Sequence, residues 1–366
     1  MTAGLEITVF GLSITSSWGN GHATTWRALL RALAARGHRI TFLERDAPWY
    51  RAHRDLPAAS YCNIHLYRDL AELKRRFAGR VAEADVVVLG SFVPDGVAVA
   101  RWLQAIARGV TAFYDIDTPV TLARLARGDH EYLSPDMIPR FDLYLSFAGG
   151  PSLTRLERRF GAKRARALYC AVDPEVYRPL ALSGHFDLGY LGTYSADRQP
   201  AVERLLIEPA RTLPERAFVV AGPQYPTGLA WPGNVARLDH VPPDRHPEFY
   251  NRLRFTLNVT RADMVEAGWS PSVRLFEAAA CGVPIISDDW PGLDELLEPG
   301  REILIAHHTA DVVRYLSEIG SDQRSRIALA GRERVLARHT AAHRAFEFER
   351  EVLAIGAKQL LPALEA

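Results

Sequence analysis

The sequence predicts an α/β protein of two doubly wound domains, each a mostly parallel sheet between helices, that face each other across a cleft. Three observations carry this. Short apolar runs bounded by Gly, Pro and Asp alternate with longer stretches of helical period, the pattern of parallel strands joined by crossover helices. The alternation stops at residues 173–185 (DPEVYRPLALSGH), which have neither period, and then starts again. The chain has 366 residues, 48% of them apolar, enough for two cores at roughly 100–200 residues per domain.

In the first half, strands are predicted at 6–12 (EITVFGL), 38–44, 85–91, 110–115 and 142–147, with a last one at 166–171. A helix between the first two, 23–37, is closed by Gly37 just past the final apolar repeat. In the second half, strands are predicted at 186–192, 217–222, 234–240, 254–260, 283–288 and 302–306. The last helical pattern, about 322–355, is longer than a closing helix requires, so its end is expected to pack back onto the first domain. The domains are therefore drawn as 1–172, a linker 173–185, 186–338, and a terminal helix 339–366.

Composition excludes several classes. With 44 basic and 43 acidic residues, the chain lacks the basic excess of a nucleic-acid partner. The three cysteines, Cys62, Cys170 and Cys281, have no CxxC or metal spacing, so no zinc ribbon or disulfide framework is expected. The N-terminal run lacks a charged n-region and reads as a strand, and no stretch approaches the roughly 18 apolar residues of a membrane helix. A cytoplasmic protein without a transmembrane segment is expected.

Ligands of open α/β sheets bind at the carboxyl ends of strands, so polar, Gly-rich segments are sought there. After the first strand, Gly19, Asn20, Gly21 and His22 precede a helix; glycines admit a ligand close to the backbone, and a helix start offers N–H groups. As a dinucleotide fingerprint the loop fails, because Thr24 stands where the third Gly belongs; Glu44 is the candidate ribose ligand of that rival. His22 suits proton abstraction from a hydroxyl. Asp115 and Asp117 end the fourth predicted strand at the same edge, and either carboxylate is a candidate to orient the imidazole. They alternate along a strand, so a two-carboxylate metal clamp is not expected.

The strongest signal is 266–297 (EAGWSPSVRLFEAAACGVPIISDDWPGLDELL). Ser270, Pro271 and Ser272 have the chemistry of a helix start, Ser272 as its cap. Backbone N–H groups at Ser272, Val273 and Arg274, with the Ser hydroxyls, form a predicted diphosphate site. Glu277, one turn along, is placed to accept both hydroxyls of a ribose. Gly192, Thr193 and Arg198, after the first strand of the second half, are expected at the phosphates, and Tyr225 and Val241 at a base.

These segments, with SSWGNGHATTWRALLRALAARGH and YDIDTPVTLARL, resemble glycosyltransferases of the GT-B fold, two Rossmann-like domains, and specifically the CgeB-like (spore-maturation-protein-like) group. The resemblance runs from Ile7 to Ala306. It implies a nucleotide-diphosphate sugar (UDP-, GDP- or dTDP-linked) bound by the C-terminal domain, an acceptor bound by the N-terminal one, and no required metal or cofactor. Glu277 matches the second, ribose-binding Glu of the family-4 ExxxxxxxE motif, whereas Trp269 stands at the first. Gly21-His22 before a helix ending in ARGH is similar to the segment carrying the catalytic His of inverting plant-type enzymes. It implies inversion, with His22 as base, Asp115 or Asp117 as its partner, and Trp18, Asn20 and Gly21 at the acceptor; Arg198 and Arg274 would stabilise the departing diphosphate. A sugar-nucleotide epimerase of the same fold and a catalytically silent nucleotide-sugar-binding subunit are the alternatives.

Overall fold

The computed structural model describes residues 4–182 and 185–364, with side chains to Gly356. Strands β1 (Glu6–Gly11), β2 (Arg39–Arg45), β3 (Asn63–Tyr67), β4 (Val86–Gly90), β5 (Val110–Asp115), β6 (Leu143–Ser146) and β7 (Ala165–Ala167) form one parallel sheet in the order 3-2-1-4-5-6-7. Strands β8 (Phe186–Leu191), β9 (Phe218–Ala221), β10 (Val235–Leu238), β11 (Leu253–Asn258), β12 (Ile285–Ser287) and β13 (Leu304–Ile305) form a second, in the order 10-9-8-11-12-13. Both orders reverse beside their first strand, the doubly wound switch point. The central strands are apolar without alternation because helices cover both faces: all of Val86–Gly90 is buried.

The chain divides into a first unit, 1–170 with 341–366, and a second, 171–340. The first core runs through Phe10, Leu43, Leu89, Phe113 and Tyr144; the second through Tyr190, Phe218, Phe255, Leu257 and Ile286.

Four details depart from the sequence reading. Strand β3 is a half-buried edge strand whose Asn63 and His65 hide its period. The final helical pattern is two helices, Ser321–Arg338 and Ala341–Leu364, and the second packs on the first unit: Ala345, Phe348 and Val352 are buried, and Glu349 meets Arg36 and His38. Residues 173–182 lie within the second unit, where Leu180 N–H bonds Asn251 and the Tyr177 hydroxyl is 3.3 Å from His246. Ser272 precedes the helix Val273–Ala280, but its hydroxyl makes no cap and donates instead to Asn258 Oδ1 at 2.8 Å.

Candidate functional site

In the first unit, the loop from β1 to the helix Gly21–Ala35 is held by Glu44, the last-but-one residue of β2. Its fully buried carboxylate accepts from Ser13 Oγ (3.0 Å), Ile14 N–H (2.7 Å), Thr15 N–H (3.0 Å) and Thr15 Oγ1 (2.6 Å). That occupies the one carboxylate a dinucleotide reading would have needed. The loop ends on Asn20, whose Oδ1 accepts from the His22 N–H (3.1 Å) and caps the helix, while its amide donates to the carbonyls of Ser16 (3.1 Å) and Ser13 (3.4 Å). Asn20 is thus buried and occupied by the loop rather than presented to an acceptor.

His22 lies in the first turn of this helix with Nε2 3.1 Å from Asp117 Oδ2. Its Nδ1 is buried and has no hydrogen-bond partner among the described residues. Phe92 packs its edge to the imidazole at 5.5 Å. Of the two candidate carboxylates, Asp117 pairs with His22. Asp115 turns inward instead, accepting from Tyr144 Oη (2.6 Å) and Thr121 Oγ1 (2.7 Å). Burial pushes the Asp115 carboxyl up to about 6 against those two hydrogen bonds, with the Asp117 charge adding to the rise. Since the two face different surroundings, they form no metal clamp. At the same loop, Trp18 stacks on His53 (4.4 Å) and meets the edge of Trp49 (4.8 Å), which is 56% exposed. A Cβ at Gly21 would have nothing within 4 Å.

In the second unit, two guanidinium groups converge beyond β8. Arg274 is buried; its Nε donates to Leu191 O (2.7 Å), its Nη1 to Asn258 Oδ1 (2.7 Å), and it lies over the Tyr190 ring at 4.8 Å. Gly192 leaves it room: a Cβ there would come 2.7 Å from Tyr190 Oη and 3.0 Å from Arg274 Nη2. Arg198 donates to Thr193 O (2.6 Å), and its Nε is buried without a partner. Burial depresses Arg198 below the ordinary guanidinium value and Tyr190 opposes this, while Arg274 and Arg261 press it further down by repulsion. No ion pair to Arg198 or Arg274 occurs among the described residues. Converging cations this poorly neutralised have the chemistry to attract an anion. Ser270 lies beside this helix start, fully buried, with an unpartnered hydroxyl, and Val273 supplies its first turn.

Glu277 lies on the helix Val273–Ala280, one turn past its start, and is buried. Its carboxylate is nearly closed off, and Oε2 accepts from Tyr250 Oη (3.1 Å) and faces His246 Nδ1 (3.7 Å). Burial alone would raise it, but His246, Tyr177 and Tyr250 together hold it below the ordinary carboxylate value. His246 also approaches the Val241 carbonyl through Nε2 (3.1 Å), so that oxygen is occupied within its loop. Tyr225 donates to Gly192 O (3.3 Å) and stacks with Arg237 (4.1 Å).

Sequence reasoning missed Asn258, His246 and Tyr250. Asn258 ties Ser272 and Arg274 to Asp288 and Thr260; its signal was an amide side chain near the carboxyl end of the strand-like run 254–260. The i, i+4 spacing of His246 and Tyr250 marks one helix face. A cavity of about 470 Å³ opens beside Thr260 and Asp288, lined also by Asp197, Arg204, Glu266 and His307.

Among the described residues, no helix is long and apolar enough to cross a membrane, and Cys62, Cys170 and Cys281 are buried free thiols.

Residues 198–350 match the family described as glycosyl transferase-like. No curated protein matches the sequence. Solved structures are similar over nearly their whole length. Sucrose-phosphate synthase from Thermosynechococcus elongatus is 16% identical with a TM-score of 0.66, covering 98% of this chain and 100% of that one. HepE from Anabaena, in complex with UDP and glucose, is 13% identical with a TM-score of 0.70, covering 94% and 98%. An alpha-glucosyltransferase, in complex with UDP-glucose and DNA containing an abasic site, is 12% identical with a TM-score of 0.71, covering 96% and 100%. The chain therefore has the GT-B glycosyltransferase fold, and residues 198–350 carry its glycosyl transferase-like segment.

Proposed function

We propose that the protein transfers a sugar from a nucleotide-diphosphate sugar to an acceptor hydroxyl, by direct displacement with inversion. The observation that carries this is the His22–Asp117 pair, whose geometry leaves Nδ1 of the imidazole without a partner. Asp117 fixes the tautomer and stabilises the imidazolium; Nδ1 takes the acceptor proton as the hydroxyl oxygen attacks the anomeric carbon. As the bond to the diphosphate breaks, charge develops on its oxygens. Arg198, Arg274, the Ser270 and Ser272 hydroxyls and the backbone at Gly192, Thr193 and Val273 meet that charge, with no step that needs a metal. Glu277 is the proposed ribose ligand, and Tyr225 with the Val241 loop the proposed base site. The cavity at Asp288 takes the sugar, because Asn258 joins its wall to Arg274. The acceptor lies at Trp18 and Gly21.

HepE and the alpha-glucosyltransferase are described with UDP or UDP-glucose, which makes UDP-sugars the first donors to test. We assign the chain to the CgeB-like group and to the cytoplasm, the latter supported by its three free thiols.

The test is thermal stabilisation by a panel of nucleoside diphosphates and nucleotide sugars, since a ligand that binds only the folded state raises Tm. A base-selective shift followed by transfer, with the product anomer opposite to the donor's by NMR, is the expected result. Retention of configuration removes His22 from the role of base for direct displacement. Donor conversion without acceptor makes the protein an epimerase, and binding without turnover makes it a silent subunit.

A further inference from the structure

We infer that Asp115 is a positioning residue for the His22–Asp117 pair, holding both groups through two routes that start at its carboxyl and pass through Thr121. The inference rests on the reading of His22 as the base. One route is short: Thr121, whose Oγ1 donates to the Asp115 carboxyl (2.7 Å), also donates its N–H to the carbonyl of Asp117 (3.0 Å), the residue whose side chain reaches His22 Nε2. The other runs through side chains. Thr121 Oγ1 donates to Asp115 (2.7 Å) and lies 2.8 Å from Tyr132 Oη; the Tyr132 ring packs on Phe92 at 4.5 Å, and Phe92 meets the His22 ring at 5.5 Å. Arg124 sits over both Tyr132 (5.1 Å) and Phe92 (5.6 Å), its charge answered by Asp129 and Glu131.

The turn itself does not require this carboxyl. Ser91 Oγ accepts from the Ile116 N–H (3.1 Å), and the Asp115 carbonyl accepts from Thr118 Oγ1 (3.1 Å) and the Phe147 N–H (3.0 Å). A fully buried carboxyl that makes no ion pair among the described residues costs free energy to bury. What it supplies is the anchoring of Thr121, and through Thr121 of Asp117.

The charged and titratable groups facing Asp115 are Tyr144 from β6, Tyr132 from the segment before Pro135, and Asp117 at the start of the helix Thr118–Ala126. Its carboxyl titrates near neutrality, at about 6, so its charge changes in the range where an imidazole titrates. Ionised Asp115 adds negative charge beside Asp117, the group on His22 Nε2, so the surroundings of the imidazole change with it. The imidazole should then report the ionisation of Asp115.

The experiment is imidazole NMR of the full chain labelled with 15N-histidine, with H22A to identify the His22 resonances. In the wild type, the Nε2–H tautomer is expected at high pH, and the His22 shifts should follow two steps. In D115N one step disappears and the tautomer mixture changes. In Y144F, which removes a donor to the carboxylate, the step belonging to Asp115 moves up in pH. Identical His22 titrations and tautomers in the wild type, D115N and Y144F overturn the inference; if D115N does not fold, Y144F decides alone. The reading of His22 as base fails separately, by H22A retaining full transfer, an outcome that leaves the NMR coupling unaffected.

Discussion

His22 offers Nε2 to Asp117 at 3.1 Å while its Nδ1 is buried without a hydrogen-bond partner. An imidazole tied at one nitrogen and unpartnered at the other is oriented to accept a proton at the unpartnered one from a hydroxyl that reaches it. H22A is expected to lower transfer roughly 10²–10⁴-fold, the usual worth of a positioned general base. D117N should also lower it while leaving the fold unchanged, because the pair is partly exposed. Nucleotide affinity, measured by calorimetry, should be the same in both variants, since they lie in the first unit.

Arg198 is a half-buried cation with a repelling neighbour and a buried Nε that no group accepts. R198M should therefore weaken UDP binding by about 10–100-fold, the equivalent of a hydrogen bond to a charged group. Unliganded Tm should stay level or rise, because the substitution removes a desolvated charge. Calorimetry at two salt concentrations and a thermal melt check both halves.

Two buried carboxyls predict opposite pH trends. Asp115 has a folded value raised to about 6, above the roughly 3.9 of an unfolded chain. Its contribution to stability is fully present below the unfolded value and is lost as pH rises through about 6. Chemical denaturation should show D115N gaining on the wild type across that window, on the order of 3 kcal/mol for a shift of this size.

Glu277 has the reverse sign, its folded value lying below the ordinary one. Its contribution is present above the unfolded value, about 4.3, and is lost as pH falls through the lowered folded value. E277Q should remove that acid-dependent loss. E277A should cost about 1–3 kcal/mol at neutral pH by leaving the buried Tyr250 hydroxyl without its acceptor. If Glu277 also holds a ribose, both variants weaken UDP binding, and E277Q separates that effect from the damage to stability.

The sheets were legible because their central strands are apolar on both faces, as Val86–Gly90 and Phe218–Ala221 are. Strand β3 was not, since an edge strand with one half-solvated face can carry Asn63 and His65 without cost. His22 stood out by its place after Gly19, Asn20 and Gly21 at a helix start. Its partner did not: alternation along β5 says that Asp115 and Asp117 differ in surroundings, but only packing against Tyr144 and Thr121 decides which turns inward. Glu277 was read from its own helix, whereas its burial is set by Tyr177 and Tyr250, brought in from other segments. The sequence around Glu277 contains no sign of either.

The helix Ala341–Leu364 completes the first unit, with Arg344 Nε donating to the Tyr169 carbonyl at 3.1 Å and Glu351 paired with Arg164. The second unit is continuous, and its ends meet where the Val172 N–H bonds the His339 carbonyl at 3.2 Å. On the ribosome, therefore, the order of completion is inverted. The later-made half has all its contacts available once residue 340 has emerged, while the earlier-made half waits with a bare face until the final helix arrives. A nascent or truncated chain ending before that helix presents an unfinished surface, the kind that chaperones hold and proteases find.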